Sequence, residues 1–333
     1  MLASSLFTDV QWILIALLAL LALTAVLSVS FHAGLAIAHD TLPYLLGLAW
    51  IILVLAIIDG AWIRAAAALV LVIYHLVMLV PRFLSDRVPR WGAGAPLVQM
   101  LVCNVYTENA TPALLAEEML AADADVMVIL EWNPTFAKEF DSAGGKDSYP
   151  HRLCDENDHS DYSVCIVSRV AFTQESEMKH VGPLTMAHAV ILSGEQHLRI
   201  IGINPTAAVD PGGYDEWKAQ IEELTEFMST SARPVVVAGD FNTTRFRPEF
   251  KSLLKSGLTD GHDALGKGMT SSFKLSADGV LAAPGTVIRL DHALLSKGVC
   301  AVAAEDLESC GSDHLPFRMT LAVRQSRRGA ATA

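Results

Sequence analysis

Apolar residues crowd the first eighty positions and then give way to shorter, patterned runs. Trp12–Ser30, Leu42–Ile58 and Trp62–Val80 are almost free of charge. Each approaches the ~20 residues needed to cross a hydrocarbon core of ~30 Å. Arg64 near the start of the third run is placed where a long side chain can snorkel to an interface. A buried core helix is the alternative for any one run. Three in succession predict instead a three-span membrane anchor over residues 1–80. A cleaved signal peptide fits poorly, since the first run lacks a basic start and two more follow it. Pro81–Pro96, with three prolines, Gly92 and Gly94, reads as a linker.

Beyond the linker the period shortens. Val98–Asn104, Val126–Glu131, Ser163–Ser168, Ala187–Leu192, Leu198–Ile203, Pro234–Ala238, Arg289–Leu295 and Arg318–Val323 are rich in β-branched residues and predict strands. Thr111–Asp123, with Thr111 as N-cap, Tyr214–Thr230 and Pro248–Lys255 predict helices. Many strands interleaved with few helices suggest two packed sheets with helices outside them. The stretch from about 325 to 333 reads as a flexible tail.

Composition sharpens the division. The 333 residues are 52% hydrophobic, and the mean hydropathy is +0.38, too high for an ordinary soluble enzyme. Residues 1–95 balance Arg64, Arg82, Arg87 and Arg90 against Asp9, Asp40, Asp59 and Asp86, so the net charge of −12 lies wholly downstream. An acidic domain repels polyanions, and strong duplex DNA binding is not expected. The five cysteines all lie in this domain. Cys154/Cys165 and Cys300/Cys310 are spaced as two hairpin-like pairs, with Cys103 inside a strand. Five free thiols are the other reading; two local disulfides would mean an oxidising compartment.

Polar groups recur where strands end. Val235-Val236-Val237-Ala238-Gly239 leads into Asp240, Phe241 and Asn242, which puts the two polar side chains on one side and Phe241 on the other. Asn104 ends its strand, and Glu131 ends Val126–Leu130, where an unpaired carboxylate would be costly. Asp291-His292 interrupts an apolar run, and Asp313-His314 precedes Leu315-Pro316-Phe317. Hard oxygen ligands from Glu131 and Asp313 suit Mg²⁺ or Mn²⁺. A histidine held by an aspartate suits phosphate stabilisation or proton transfer.

This succession (Asn104, Glu131, Gly239-Asp240-Phe241-Asn242, Leu290-Asp291-His292, Ser312-Asp313-His314) resembles the endonuclease/exonuclease/phosphatase superfamily, over about residues 97–324. The resemblance implies an α/β (α+β) fold, a four-layered sandwich of two mixed β-sheets flanked by helices. It implies a phosphoesterase acting on a lipid head group, a nucleotide or a short nucleic acid. Glu131 would be the principal metal ligand, with Asn104 and Asp313 completing or orienting the shell. Asp240 would position or deprotonate water, Asn242 would hold a phosphate oxygen, and Asp291 would fix the ring of His314, which would donate to the phosphate. Ser168-Arg169 matches the family's strand ending in a Ser-Arg pair, a structural feature.

One position departs from the pattern. The family usually has histidine or tyrosine after the strand before the long helix, and here Asn204-Pro205 stands there. Asparagine cannot donate a proton in the same way. His188 or His180 could replace it spatially, or the domain could be a catalytically degenerate binder of a phosphorylated ligand. The anchored relatives are bacterial, which implies a multi-pass inner (cytoplasmic) membrane protein with an extracytoplasmic domain. Arg82, Arg87 and Arg90 after the third span favour the opposite orientation.

Overall fold

The computed structural model describes residues 2–154, 161–274 and 286–325. The tail expected from residue 325 lies, from 326 onward, outside them. The chain opens with helices α1 (Leu2–Val26), α2 (Ala33–Asp40), α3 (Leu42–Ile58) and α4 (Trp62–Leu79). Among the described residues, Leu6–Val26 and Trp62–Phe83 are helical, apolar and long enough to cross a membrane. The middle run differs from expectation. It is a pair, α2 and α3, bent by 63°, and makes a third candidate span only if the two are taken together. The bend falls at Thr41, just before Pro43 in the first turn of α3, where a residue without an N–H starts a helix readily. The first helix also stops short of Ser30, because Ser28 adopts φ +56° and cannot continue it. Leu18, Ala22, Leu46, Ala49, Ala68 and Leu71 form the apolar core shared by α1, α3 and α4.

The connector after α4 is tied down. Arg82 pairs with Asp263 at 2.7 Å, Asp86 N–H donates to Ala264 O at 2.7 Å, and Gly268 N–H donates to Arg82 O at 2.7 Å.

Two six-stranded sheets follow. The first comprises β1 (Leu97–Asn104), β2 (Val126–Leu130), β3 (His151–Cys154), β4 (Val164–Ser168), β11 (Val299–Asp306) and β12 (Phe317–Val323), in the order β11-β12-β1-β2-β4-β3. The second comprises β5 (Glu177–Val181), β6 (Leu184–Ser193), β7 (Gln196–Ile203), β8 (Val235–Asp240), β9 (Leu258–Asp260) and β10 (Asp291–Ser296), in the order β5-β6-β7-β8-β10-β9. Each is mixed around a single parallel pair, β1 with β2 and β7 with β8. A parallel pair needs a crossover. The crossovers are α5 (Pro112–Ala121) and α8 (Pro211–Thr230).

The inner faces meet in one core, with Met100, Val128, Ile166, Ile200, Val236 and Met319 fully buried. The outer face of the first sheet is covered by α5 and α6 (Pro134–Ser142), through Leu115, Met119, Phe136 and Phe140. The outer face of the second is covered by α8 and α9 (Pro248–Lys255), through Trp217, Ile221, Leu224, Phe250 and Leu253. Short helices α7 (Gly145–Ser148) and α10 (Gly261–Ala264) complete the series. The result is the expected α/β sandwich of two mixed sheets flanked by helices.

The cysteine pairing is corrected in one half. Cys154 and Cys165 face each other across β3 and β4 and form a disulfide. Cys300 and Cys310 are free, as is Cys103. Cys300 is the second residue of β11 and Cys310 lies beyond its far end, so an extended strand rising ~3.3 Å per residue holds the two apart. Thr111 occupies the N-cap position but does not cap with its side chain; its hydroxyl donates to Cys310 O at 2.8 Å.

Candidate active site

The topology gathers the polar strand ends at one edge. In each sheet the carboxyl ends of the parallel pair point the same way, and they carry Asn104 and Glu131 in the first sheet, Asn204 and Asp240 in the second. Antiparallel neighbours reach that edge at their starts: Asp291 opens β10 opposite Asp240, and Asp313-His314 precedes β12, which runs against β1. Gly239 makes the close approach possible. Its φ is +149°, and a Cβ there would stand 2.0 Å from Ile203 O.

A cavity of about 620 Å³ opens at this edge, lined among others by Glu131, Asn204, Asp240, Asn242, Asp313 and His314. Asn104 and Asp291 stand behind that lining, both buried. Asn104 Nδ2 donates to Glu131 Oε1 at 2.9 Å and reaches Asp240 Oδ2 at 3.3 Å, while its Oδ1 accepts from Tyr106 N–H at 3.0 Å. Glu131 Oε2 accepts from Thr107 N–H at 2.7 Å. Asp240 Oδ1 accepts from Asn242 N–H at 2.8 Å. Asn242 and Asn204 each use one N–H of the side-chain amide, on Pro205 O and Asp161 O respectively, both at 2.8 Å. A second N–H remains on each.

Three residues here adopt a left-handed backbone although none is glycine: Tyr106 (φ +59°), Glu131 (φ +57°) and Asn242 (φ +49°). Such conformations cost roughly 1–3 kcal/mol each and persist where the surroundings over-determine them. Here they turn Glu131 and Asn242 off their strand directions into the cavity.

Charge is concentrated in a small buried volume. His314 Nδ1 stands 2.7 Å from Asp291 Oδ2, and its Nε2 3.6 Å from Asp240 Oδ2. Burial pulls the imidazole pKa down, but Asp291 and Asp240 overcome it and raise it to about 10. Asp291 is pushed up by burial and pulled further down by His314, so its carboxyl lies below the ordinary value. Asp240 is raised by burial to about 6; His314 opposes that shift and Asp291 adds to it. Burial also raises Glu131 and Asp313.

Asp240, Asp291 and His314 offer ligand atoms within 4.8 Å of one another. With both ring nitrogens facing carboxylates, however, the imidazolium has no lone pair to give a metal. Oxygen donors on the other side of the cavity fit a hard cation better. Glu131 is held by two hydrogen bonds yet keeps further acceptor capacity, and Asp313 Oδ1 is buried with no partner among the described residues.

Residues 101–314 match the Endonuclease/Exonuclease/phosphatase family. The chain belongs to that family. Enzymes of that family and fold are metal-dependent phosphodiesterases, nucleases and phosphatases. No curated protein sequence matches it. Among solved structures it is similar to an endonuclease/exonuclease/phosphatase from Beutenbergia cavernae DSM 12333, with TM-score 0.55, 13% identity, and 68% of this chain and 72% of that one covered. It is similar to D. rerio TDP2 complexed with single strand DNA product, with TM-score 0.54, 19% identity, and 68% and 99% covered. It is also similar to a 3′ phosphatase, NExo from Neisseria, bound to a product DNA hairpin, with TM-score 0.53, 19% identity, and 67% and 98% covered. At these identities the likeness is one of fold.

All eight residues singled out in the sequence lie at this one edge. His188 and His180 do not: His188 packs edge-on against Phe227, and His180 bonds Thr185 at 3.0 Å, on β6 and β5 away from the cavity. Other residues around the site were not singled out, four of which matter below. Thr107 holds Glu131 through its backbone, and Asp40, Tyr44 and Arg247 line the cavity. Only Asp40 carried a signal, as a lone carboxylate between apolar runs.

Proposed function

We propose that this family member is a membrane-anchored, Mg²⁺- or Mn²⁺-dependent phosphoesterase in which water attacks phosphorus directly. The placement of Asp240 carries the reading, with its carboxyl raised to about 6, one oxygen fixed by Asn242 N–H and the other facing His314. A carboxylate so placed accepts a proton from water near neutral pH. Asn242 and Asn204 offer their free amide N–H groups to phosphate oxygens. His314, held protonated by Asp291, donates to the oxygen on which negative charge builds. A divalent ion would be held by Glu131 and Asp313, with Asn104 orienting Glu131, and would neutralise the phosphoryl oxygen and the leaving alkoxide.

Asn204 limits the chemistry. Its amide cannot protonate a departing alcohol, so good leaving groups are favoured, and the same residue is the one support for a degenerate phosphate-binding protein. Hydrolysis of bis(p-nitrophenyl) phosphate by the full chain in detergent separates these readings. Release that needs Mg²⁺ or Mn²⁺, stops with chelator and is lost in Glu131→Ala and His314→Ala is expected. No release with either metal, from protein that still binds phosphate compounds, would establish the binder and make Asn204→His the next variant.

The apolar helices support insertion in a membrane; a multi-pass placement in a bacterial inner membrane rests on the resemblance to anchored bacterial members of the family. The Cys154–Cys165 disulfide supports a domain on the extracytoplasmic side. The acidic surface supports small or single-stranded phosphate esters rather than duplex DNA.

A further inference from the structure

The corner where α2 meets α3 is fastened to the floor of the catalytic cavity more firmly than a tether requires. Asp40, the last residue of α2, accepts from Thr244 N–H and Thr244 Oγ1, both at 2.9 Å, and from Thr243 Oγ1 at 3.3 Å. It also forms an ion pair with Arg247, whose guanidinium lies 4.4 Å over the Trp217 ring. Asp40 and Arg247 are 6% and 2% exposed. Burying such a pair costs desolvation that only well-satisfied geometry offsets. Thr243 and Thr244 directly follow Asn242, so the anchor grips the loop that presents a catalytic amide. Further contacts extend the joint: Tyr214 Oη donates to Ser30 Oγ at 3.0 Å, Tyr44 Oη donates to Val287 O, and Ala33 and Ala36 sit in the core beneath α8.

The same corner forms one side of the cavity. Ile37, Asp40, Thr41 and Tyr44 line it together with Glu131, Asp240 and His314. The cavity therefore has two characters. Its floor is polar and carries the reacting groups. Its walls include Ile37, Tyr44, Val209, Ile288 and Leu290, and of these Ile37, Tyr44 and Val209 are 42%, 46% and 70% exposed. Exposed apolar side chains rimming a polar floor suit a ligand with a charged head and an apolar remainder. Tyr44 stands in the first turn of α3, an apolar helix, so this wall continues directly into the segment that would enter the bilayer.

Building on the phosphoesterase reading, we propose that the Ala33–Tyr44 corner is a working wall of the active site. It selects a phosphoric ester bearing a hydrocarbon chain, taken from the bilayer surface beside α3. In the reaction one water oxygen bonds to phosphorus and the P–O bond to the leaving group breaks. One proton of the water passes to Asp240 and on to solvent, and the leaving alkoxide takes its proton from solvent. The hydrocarbon chain, on the retained alcohol, lies along Ile37 and Tyr44.

Two esters with the same reacting bond test this: methyl p-nitrophenyl phosphate and hexadecyl p-nitrophenyl phosphate, hydrolysed by the full chain with Mn²⁺ in one detergent. Each buried methylene is worth about fourfold in binding. The hexadecyl ester is therefore expected to show a kcat/KM at least roughly tenfold above the methyl ester. Ile37→Ser and Tyr44→Ala are each expected to reduce that ratio several-fold, and circular dichroism identifies any variant that has failed to fold. Equal kcat/KM for the two esters in the parent chain would overturn the proposal. So would a high ratio that both folded variants retain, since partition into micelles alone would then account for it. Hydrolysis of neither ester, with Mn²⁺ or Mg²⁺, would instead overturn the phosphoesterase reading on which the proposal rests.

Discussion

His314 Nδ1 and Asp291 Oδ2 stand 2.7 Å apart, and both side chains are buried. Burial alone would neutralise the ring; Asp291 first and Asp240 second keep it protonated, to about 10. Removing Asp291 therefore changes charge as well as orientation. In Asp291→Asn the ring loses its proton at lower pH, because burial is opposed only by Asp240 and more distant carboxylates. The parent chain is expected to hold the contribution of His314 to kcat up to about pH 10, while Asp291→Asn loses activity as pH rises through neutrality. His314→Gln, without a charged donor at any pH, should lose roughly 10²–10³-fold in kcat. Parallel pH profiles for the parent and Asp291→Asn would sink this assignment.

A second pH dependence comes from Asp240. Burial raises its carboxyl to about 6, and only the ionised form can accept a proton from water. Because the pKa is raised, the active form is present above about pH 6 and is lost as pH falls through that value. The expected kcat/KM profile falls about tenfold per pH unit below 6, and Asp240→Asn removes this limb along with most of the rate. An acid limb that survives in Asp240→Asn would assign it to another group, such as Glu131.

The sequence announced the inner part of the fold and not its margins. The eight strands expected from β-branched runs are β1, β2, β4, β6, β7, β8, β10 and β12, and each has neighbours on both sides. Those that escaped notice, β3, β5, β9 and β11, are the four sheet edges. An edge strand is half solvated, so its hydrophobic pattern is diluted: none of the residues of β3 or β5 is fully buried, against all five of β2. The site was legible because a carboxylate or amide ending a buried run is conspicuous wherever it occurs. Tyr44 and Arg247 were not, and Asp40 showed only as a lone carboxylate between apolar runs, since their role depends on the anchor folding back onto the loop after Asn242, a contact across some two hundred positions. The left-handed backbone of Glu131 and Asn242 was equally hidden, because no local residue type demands it.

The cysteines give a chemical test of compartment. Alkylation under denaturing conditions before reduction is expected to modify Cys103, Cys300 and Cys310, and Cys154 and Cys165 only after reduction. The bridge closes a loop across 11 positions, short enough that its loss is worth about 3 kcal/mol in the chain-entropy account. Protein taken from cells with Cys154 and Cys165 already alkylated before reduction would remove the support for an oxidising compartment.

Asp260 makes a prediction about stability rather than rate. It ends β9 at the sheet edge, where its Oδ2 meets His292 Nδ1 at 2.7 Å and its Oδ1 accepts from His262 N–H at 2.8 Å and Asp263 N–H at 3.2 Å. Burial pushes this carboxyl up, but the hydrogen bond and charge of His292, with Arg245, outweigh burial and hold it far below the usual carboxylate range. A folded-state pKa depressed in this way contributes stability that is fully present above the unfolded value of about 3.9 and is lost gradually as pH falls from there toward the folded value. Asp260→Asn removes the charge with little change of shape and leaves the histidine without its carboxylate. The cost of breaking such a buried pair is about 3–5 kcal/mol, or a fall of roughly 6–20 °C in Tm for a domain of this size. Thermal unfolding of the parent and variant at pH 7 and at pH 3.5 checks both magnitude and sign: the gap should be wide at pH 7 and should narrow at the lower pH. The narrowing is modest, since the folded carboxylate is still ionised at pH 3.5; a gap that widens there would mean that Asp260 does not titrate with the depressed pKa assigned to it.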